Sequence, residues 1–188
     1  MRKSGTGACS SRGRPHNRAW PRVLAAPGLA LIALAVAGGA AARDPNKPTP
    51  SSFPVPRWVS LKFGQVNARS GPGDDYPTVW VYNSKGLPVQ VVEETREWRK
   101  VCDPDGQSAW IHRRTTDGAR TVFRAKPQGL PLVSDPRPDA RVRAYLSPRS
   151  IAGLEKCEGG WCRVKADGVQ GWAPESELWG TGDSPHCR

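Results

Sequence analysis

Residues 154–173 read LEKCEGGWCRVKADGVQGWA, and this stretch constrains the fold more tightly than any other. Two short apolar–polar alternations flank Gly159 and Gly160, the pattern of a tight β-hairpin. A second turn, Ala166-Asp167-Gly168, then feeds Gly171-Trp172-Ala173. The same grammar occurs earlier as Trp98-Arg99-Lys100-Val101, a turn at Asp103-Pro104-Asp105-Gly106, then Ala109-Trp110-Ile111. Trp98 precedes Trp161 by 63 residues, Val101 precedes Val164 by 63, and Trp110 precedes Trp172 by 62. A constant offset broken by one residue is the trace of a duplicated small domain.

Composition agrees with short strands and turns. The 188 residues include 20 glycines and 19 prolines, too many for long helices. No segment keeps a 3.6-residue apolar period over three turns, so the chain reads as all-β. In the first unit, residues 58–62, 66–69, 78–82 and 89–92 read as strands, and residues 120–124 as a closing strand. The second unit repeats the plan from about Leu130. There Asp139-Ala140-Arg141-Val142 matches Tyr76-Pro77-Thr78-Val79, and residues 151–154 match residues 88–91.

The net charge of +11 invites a nucleic-acid reading, but its location argues against one. Six basic residues and no acidic one precede residue 43, so the rest of the chain carries only +5. The basic start runs to Arg22, an apolar core follows over residues 29–37, and Ala40-Ala41-Ala42 offers a small-residue cleavage site. Residues 1–42 are therefore expected to be a secretory signal peptide, leaving no membrane span after cleavage. The rival is an uncleaved anchor, because residues 23–42 carry no charge; Pro27, Gly28, Gly38 and Gly39 interrupt it. No Cys follows the apolar core and no Arg pair precedes it, which points to the general export route. Residues 43–56 hold five prolines and read as an extended linker.

Val66-Asn67-Ala68-Arg69-Ser70-Gly71-Pro72 resembles the opening motif of bacterial SH3-like domains. Cys157-Glu158-Gly159-Gly160-Trp161-Cys162-Arg163-Val164, followed by Gly171-Trp172-Ala173-Pro174, resembles their hairpin and closing strand. The resemblance implies two five-stranded barrels in tandem, residues 57–125 and 126–180, each with a short 3₁₀ turn before its last strand. That turn is expected near residues 174–178 in the second copy. Residues 181–188 remain as a C-terminal tail. The second copy departs from the pattern, with Ser134-Asp135-Pro136-Arg137-Pro138 in place of Ser70-Gly71-Pro72-Gly73, so the two copies need not bind the same ligand.

Units of this size bury only about 60% of their unfolded surface, which makes cross-links valuable. Four cysteines follow the signal, Cys102, Cys157, Cys162 and Cys187, an even number in an exported chain. A two-residue turn at Gly159-Gly160 makes Glu158 and Trp161 the closing pair. Cys157 and Cys162 then form the next pair, about 4.5 Å apart at Cα and within disulfide reach. In the first copy Glu94 and Arg99 occupy the matching slots and suit a cross-strand ion pair. Cys102 and Cys187 are left for each other. The two hairpin thiols lack a second ligand pair for a metal, and no cofactor motif is present.

Catalytic constellations are scarce. Cys102 and His112 fall in no nucleophile motif, and the turn aspartates suit turn hydrogen bonds. Trp98 and Val101 lie three apart on one strand and face opposite sides, as do Trp161 and Val164. With the valines in the cores, Trp98 and Trp161 face the long loops. They then either line a binding groove or cap the open end of each barrel. In SH3 folds a tryptophan at this place lines the peptide groove, with Pro174 as the matching groove proline. Arg69, Tyr76, Trp80 and Tyr82 extend the candidate ligand site of the first copy, although alternation turns at least one of these aromatics inward. Three function classes follow. One is a non-catalytic exported protein of the bacterial periplasm or exterior that recognises cell-wall peptide or glycan. Another is an adaptor that binds extended segments of an envelope protein. The last is an accessory part of a wall hydrolase.

Overall fold

Gly159 and Gly160 adopt φ of 57° and 79°, the double left-handed geometry of a type I′ turn. Its twist matches that of the flanking strands, so the register is the expected one, with Glu158 opposite Trp161 and Cys157 opposite Cys162. Asp167 and Gly168, at φ 48° and 83°, build the next hairpin in the same way. In the first copy Glu94 stands opposite Arg99.

The computed structural model describes residues 48–182, 184, 186 and 187. The expected signal peptide and the start of the linker lie outside the described residues. The described residues hold thirteen strands and two 3₁₀ turns. The first sheet contains β1 (Arg57–Leu61), β2 (Val66–Arg69), β3 (Thr78–Tyr82), β4 (Pro88–Glu94), β5 (Trp98–Cys102), β6 (Ser108–His112) and β7 (Thr116–Asp117). Its spatial order is β3-β2-β6-β5-β4-β1-β7. The second sheet contains β8 (Thr121–Phe123), β9 (Leu130–Val133), β10 (Val142–Leu146), β11 (Ile151–Glu158), β12 (Trp161–Ala166) and β13 (Val169–Pro174), in the order β10-β9-β13-β12-β11-β8. The 3₁₀ turns, Arg113–Thr115 and Glu175–Glu177, follow β6 and β13.

Two tandem SH3-like β domains are thus present, but their sheets hold seven and six strands rather than five. Short strands pair along edges that would otherwise expose unpaired backbone groups. One reassignment follows. Thr121–Phe123, expected to close the first unit, pairs with β11 and opens the second sheet. It is the counterpart of β1, which pairs with β4 in the same way. The first sheet is closed instead by β7 on β1.

Each copy has its own core. Val59, Leu61, Val66, Val89, Val91, Val101 and Ile111 fill the first, while Val122, Leu130, Leu132, Leu146 and Val164 fill the second. The cores meet at β8, where Val122 packs into the second and the neighbouring Phe123 into the first. Trp179 reinforces the junction: its backbone pairs with Phe123 and its indole N–H donates to Pro88 O at 2.9 Å. Gly180 permits this approach, because a Cβ there would stand 2.6 Å from Thr121 O.

The described ends of the chain also dock on the barrels. Ser51 donates to the buried Glu94 carboxylate, and Val55 packs on the first core. At the other end Trp58 Nε1 donates to Gly182 O at 2.6 Å, and the His186 ring lies 4.6 Å from that of Trp179. Cys187 joins Cys102 in a disulfide, and Cys157 joins Cys162. Among the described residues no helix is long and apolar enough to cross a membrane.

Candidate functional site

Strand alternation places Val101 in the first core and Trp98 on the opposite side of β5. Trp98 does not project into solvent, however: it is only 8% exposed. The His112 ring, directly across β6, meets it edge-on at 5.3 Å, and the Arg69 guanidinium lies 6.0 Å from its centroid. Such a cation over an indole is attracted by the ring's negative face. Trp98, Arg69 and His112 therefore form one contiguous group.

Tyr76 completes this group. Arg69 Nη1 donates to Tyr76 O at 2.7 Å, and a second guanidinium nitrogen lies 3.5 Å from Asp74. The Tyr76 ring lies flat on the loop backbone: a Cβ on Gly71 would stand 2.3 Å from it. Gly71 is needed here for close approach rather than for turn geometry. Beyond His112, Glu97 lies 3.6 Å from its Nε2 and 3.3 Å from Arg113 Nε, while His112 Nδ1 accepts the Arg114 backbone N–H at 3.1 Å. Alternation from Trp110 places His112 on the same face of β6, the one signal that could have joined it to Trp98.

Trp80 and Tyr82 lie elsewhere. Trp80 packs against the first core, and Tyr82 is buried with its hydroxyl 3.1 Å from Asp103 Oδ2. Burial, and next the Asp103 carboxylate, push the Tyr82 hydroxyl well above the ordinary phenol range. With Asp105 and with Phe123 and Arg149 of the second copy, these side chains line a cleft of about 420 Å³ between the barrels.

The second copy repeats the loop backbone but not its chemistry. Hydrogen bonds from Ser70 to Pro77, Gly73 to Gly71 and Tyr76 to Gly73 recur from Ser134 to Arg141, Arg137 to Asp135 and Ala140 to Arg137. This aligns Tyr76 with Ala140, one residue away from the sequence match with Asp139. Arg69 pairs with Trp110 as Val133 pairs with Trp172, and Trp98 faces His112 as Trp161 faces Pro174. Val133, Ala140, Trp161 and Trp172 pack together as an apolar cluster. The counterpart of the polar site is therefore filled with hydrocarbon.

Among the described residues, Cys157, Cys162 and Glu175 bring potential metal-ligand atoms within 4.8 Å of one another. Both sulfurs are bonded to each other, so no thiolate is available to hold an ion.

The bacterial SH3 domain family matches residues 62–118 and 126–180. Comparison with curated proteins finds no match. Two solved structures, of NlpC1 and NlpC2 from Trichomonas vaginalis, are each similar at 14% identity with a TM-score of 0.32. The matches cover 68% and 66% of this chain but only 46% and 48% of those chains, so it spans less than half their length. With the matched segments falling on two barrels of the same strand plan, the chain belongs to the bacterial SH3 domain family, in two tandem copies.

Proposed function

We propose that this is a non-catalytic, exported binding protein whose tandem SH3-like domains recognise cell-wall peptide or glycan, with the first copy as the binding unit. The observation that carries the reading is the contrast between equivalent positions. Arg69, Tyr76, Trp98 and His112 converge in the first copy, where Val133, Ala140, Trp161 and Pro174 stand in the second. Tyr76, 47% exposed, offers a stacking surface for a sugar ring or a peptide plane. Arg69, held by the Tyr76 carbonyl and the exposed Asp74, places a positive charge on this loop that would attract a ligand carboxylate, and Trp98 supplies a rigid apolar floor. Two disulfides support an oxidising compartment, and residues 1–42 would direct export and then be removed.

The experiment is co-sedimentation of the mature protein with purified cell-wall sacculi, followed by titration with soluble wall fragments. Wild type is expected to sediment with sacculi, and Arg69→Gln and Tyr76→Ala to lose about tenfold or more in affinity while remaining folded. Equal binding by both variants overturns the assigned site. Capture of an envelope protein with no affinity for sacculi would replace the wall reading with the adaptor reading.

A further inference from the structure

A cavity of about 510 Å³ opens on the first barrel beside β1 and β5 and beneath the turn that follows β6. Arg57, Arg99, Arg113 and Arg114 line it together with Phe53 and Trp58, and no carboxylate reaches its wall. Two acids lie behind the arginines. Glu94, 2% exposed at its side chain, receives Arg57 Nη2 at 2.5 Å and stands 3.7 Å from Arg99 Nε. Glu97 receives Arg113 at 3.3 Å. Four guanidiniums thus face two carboxylates, an excess of two positive charges. The Arg114 side chain has no ion partner among the described residues, and the buried Arg99 Nε–H meets no acceptor within hydrogen-bond distance. Burial first, and then repulsion from Arg57, lower the proton affinity of Arg99, so an incoming anion would relieve a charge the fold leaves under-compensated.

We propose that this cavity binds a phosphate-bearing ligand of about sugar-phosphate size. The cations come from three backbone segments, β1, β5 and the turn at 113–114, an arrangement that suits the several oxygens of a tetrahedral dianion. A planar carboxylate would meet one fork and neutralise one charge. The volume exceeds that of a bare phosphate, and Phe53, whose ring lies 5.7 Å from the Arg57 guanidinium, gives the remainder an apolar wall. The site uses none of Arg69, Tyr76 or Trp98; Glu97 touches both His112 and Arg113, so Arg114, whose side chain has no such link, is the residue that separates it from the wall-binding reading.

Calorimetric titration of the intact, oxidised protein with glucose 6-phosphate, glucose and gluconate tests the proposal. Glucose 6-phosphate is expected to bind, more weakly as salt rises, and glucose not to bind. Arg114→Gln, an exposed change that removes no ion pair, is expected to weaken it by about tenfold without shifting the thermal melt. Arg113→Gln provides a second variant on the same turn, expected to act in the same direction. Unchanged affinity in both variants, no affinity at millimolar ligand, or equal binding of gluconate would each overturn the proposal.

Discussion

Gln90 and His186 are hydrogen-bonded across 96 positions of sequence, the fully buried Gln90 Oε1 accepting the His186 backbone N–H at 2.9 Å. The same amide donates Nε2–H to Ser184 O at 2.8 Å. One buried side chain on β4 therefore satisfies two backbone groups of the C-terminal segment. The Cys102–Cys187 disulfide fastens that segment to β5 next door.

Cys187→Ser should release this segment. Its disulfide closes a separation of 85 residues, for which the chain-entropy estimate is about 4.6 kcal/mol. Denaturant unfolding should show a loss of that order. Cys157→Ser together with Cys162→Ser, which opens a separation of only 5, should cost about 2 kcal/mol. Equal losses from the two changes would contradict the assignment.

Trp161→Ala should cost about 3 kcal/mol of folding stability, since it removes the ring that packs on Val133, Ala140 and Trp172. It should leave the ligand affinity of the folded protein unchanged. Trp98→Ala should lower both, because its ring is the floor under Arg69 and His112. Thermal melts paired with binding titrations separate the two effects; intact binding by a folded Trp98→Ala protein would remove Trp98 from the site.

Gly71→Ala should displace the Tyr76 ring, which lies where the new methyl must go. Steric repair of this kind typically costs about 1–3 kcal/mol. The variant should bind wall fragments more weakly, and Gly71→Ala combined with Tyr76→Ala should regain stability relative to Gly71→Ala. The second copy already shows the compatible pair, Asp135 with Ala140. No recovery in the double variant would refute the steric explanation.

Acid should destabilise the fold through Glu94. Burial raises its proton affinity, but hydrogen bonds from Arg57 and Ser51 more than offset this and hold the carboxyl below its ordinary range. A carboxylate depressed in the folded state contributes stability above its unfolded value, about 4.3, and loses it as pH falls through the folded value. Glu94→Gln should therefore be less stable than wild type at neutral pH. The gap should narrow below about pH 4. A gap independent of pH would remove Glu94 from this role.

Local patterns were legible because their causes are local. Gly159-Gly160 dictates a left-handed turn, the turn dictates the register, and the register puts Cys157 opposite Cys162; alignment of the two copies then puts Glu94 opposite Arg99. The constant offset between tryptophans likewise identified two copies, because a duplicated unit repeats its turns at fixed spacing. The faces of Trp98 and Val101 followed from strand alternation alone. Only the tertiary structure decided which sheet Thr121–Phe123 would join, since an edge strand goes to whichever edge is open nearby. It also decided that Trp98 would lie beneath Arg69 and His112, and that Trp80 and Tyr82 would leave its site for the cleft between the barrels. The four arginines around one cavity come from positions 57 to 114, and the tail returns across the first barrel to Gln90. Such contacts depend on how the strands close in space, a long-range outcome that no periodicity or turn in the chain encodes.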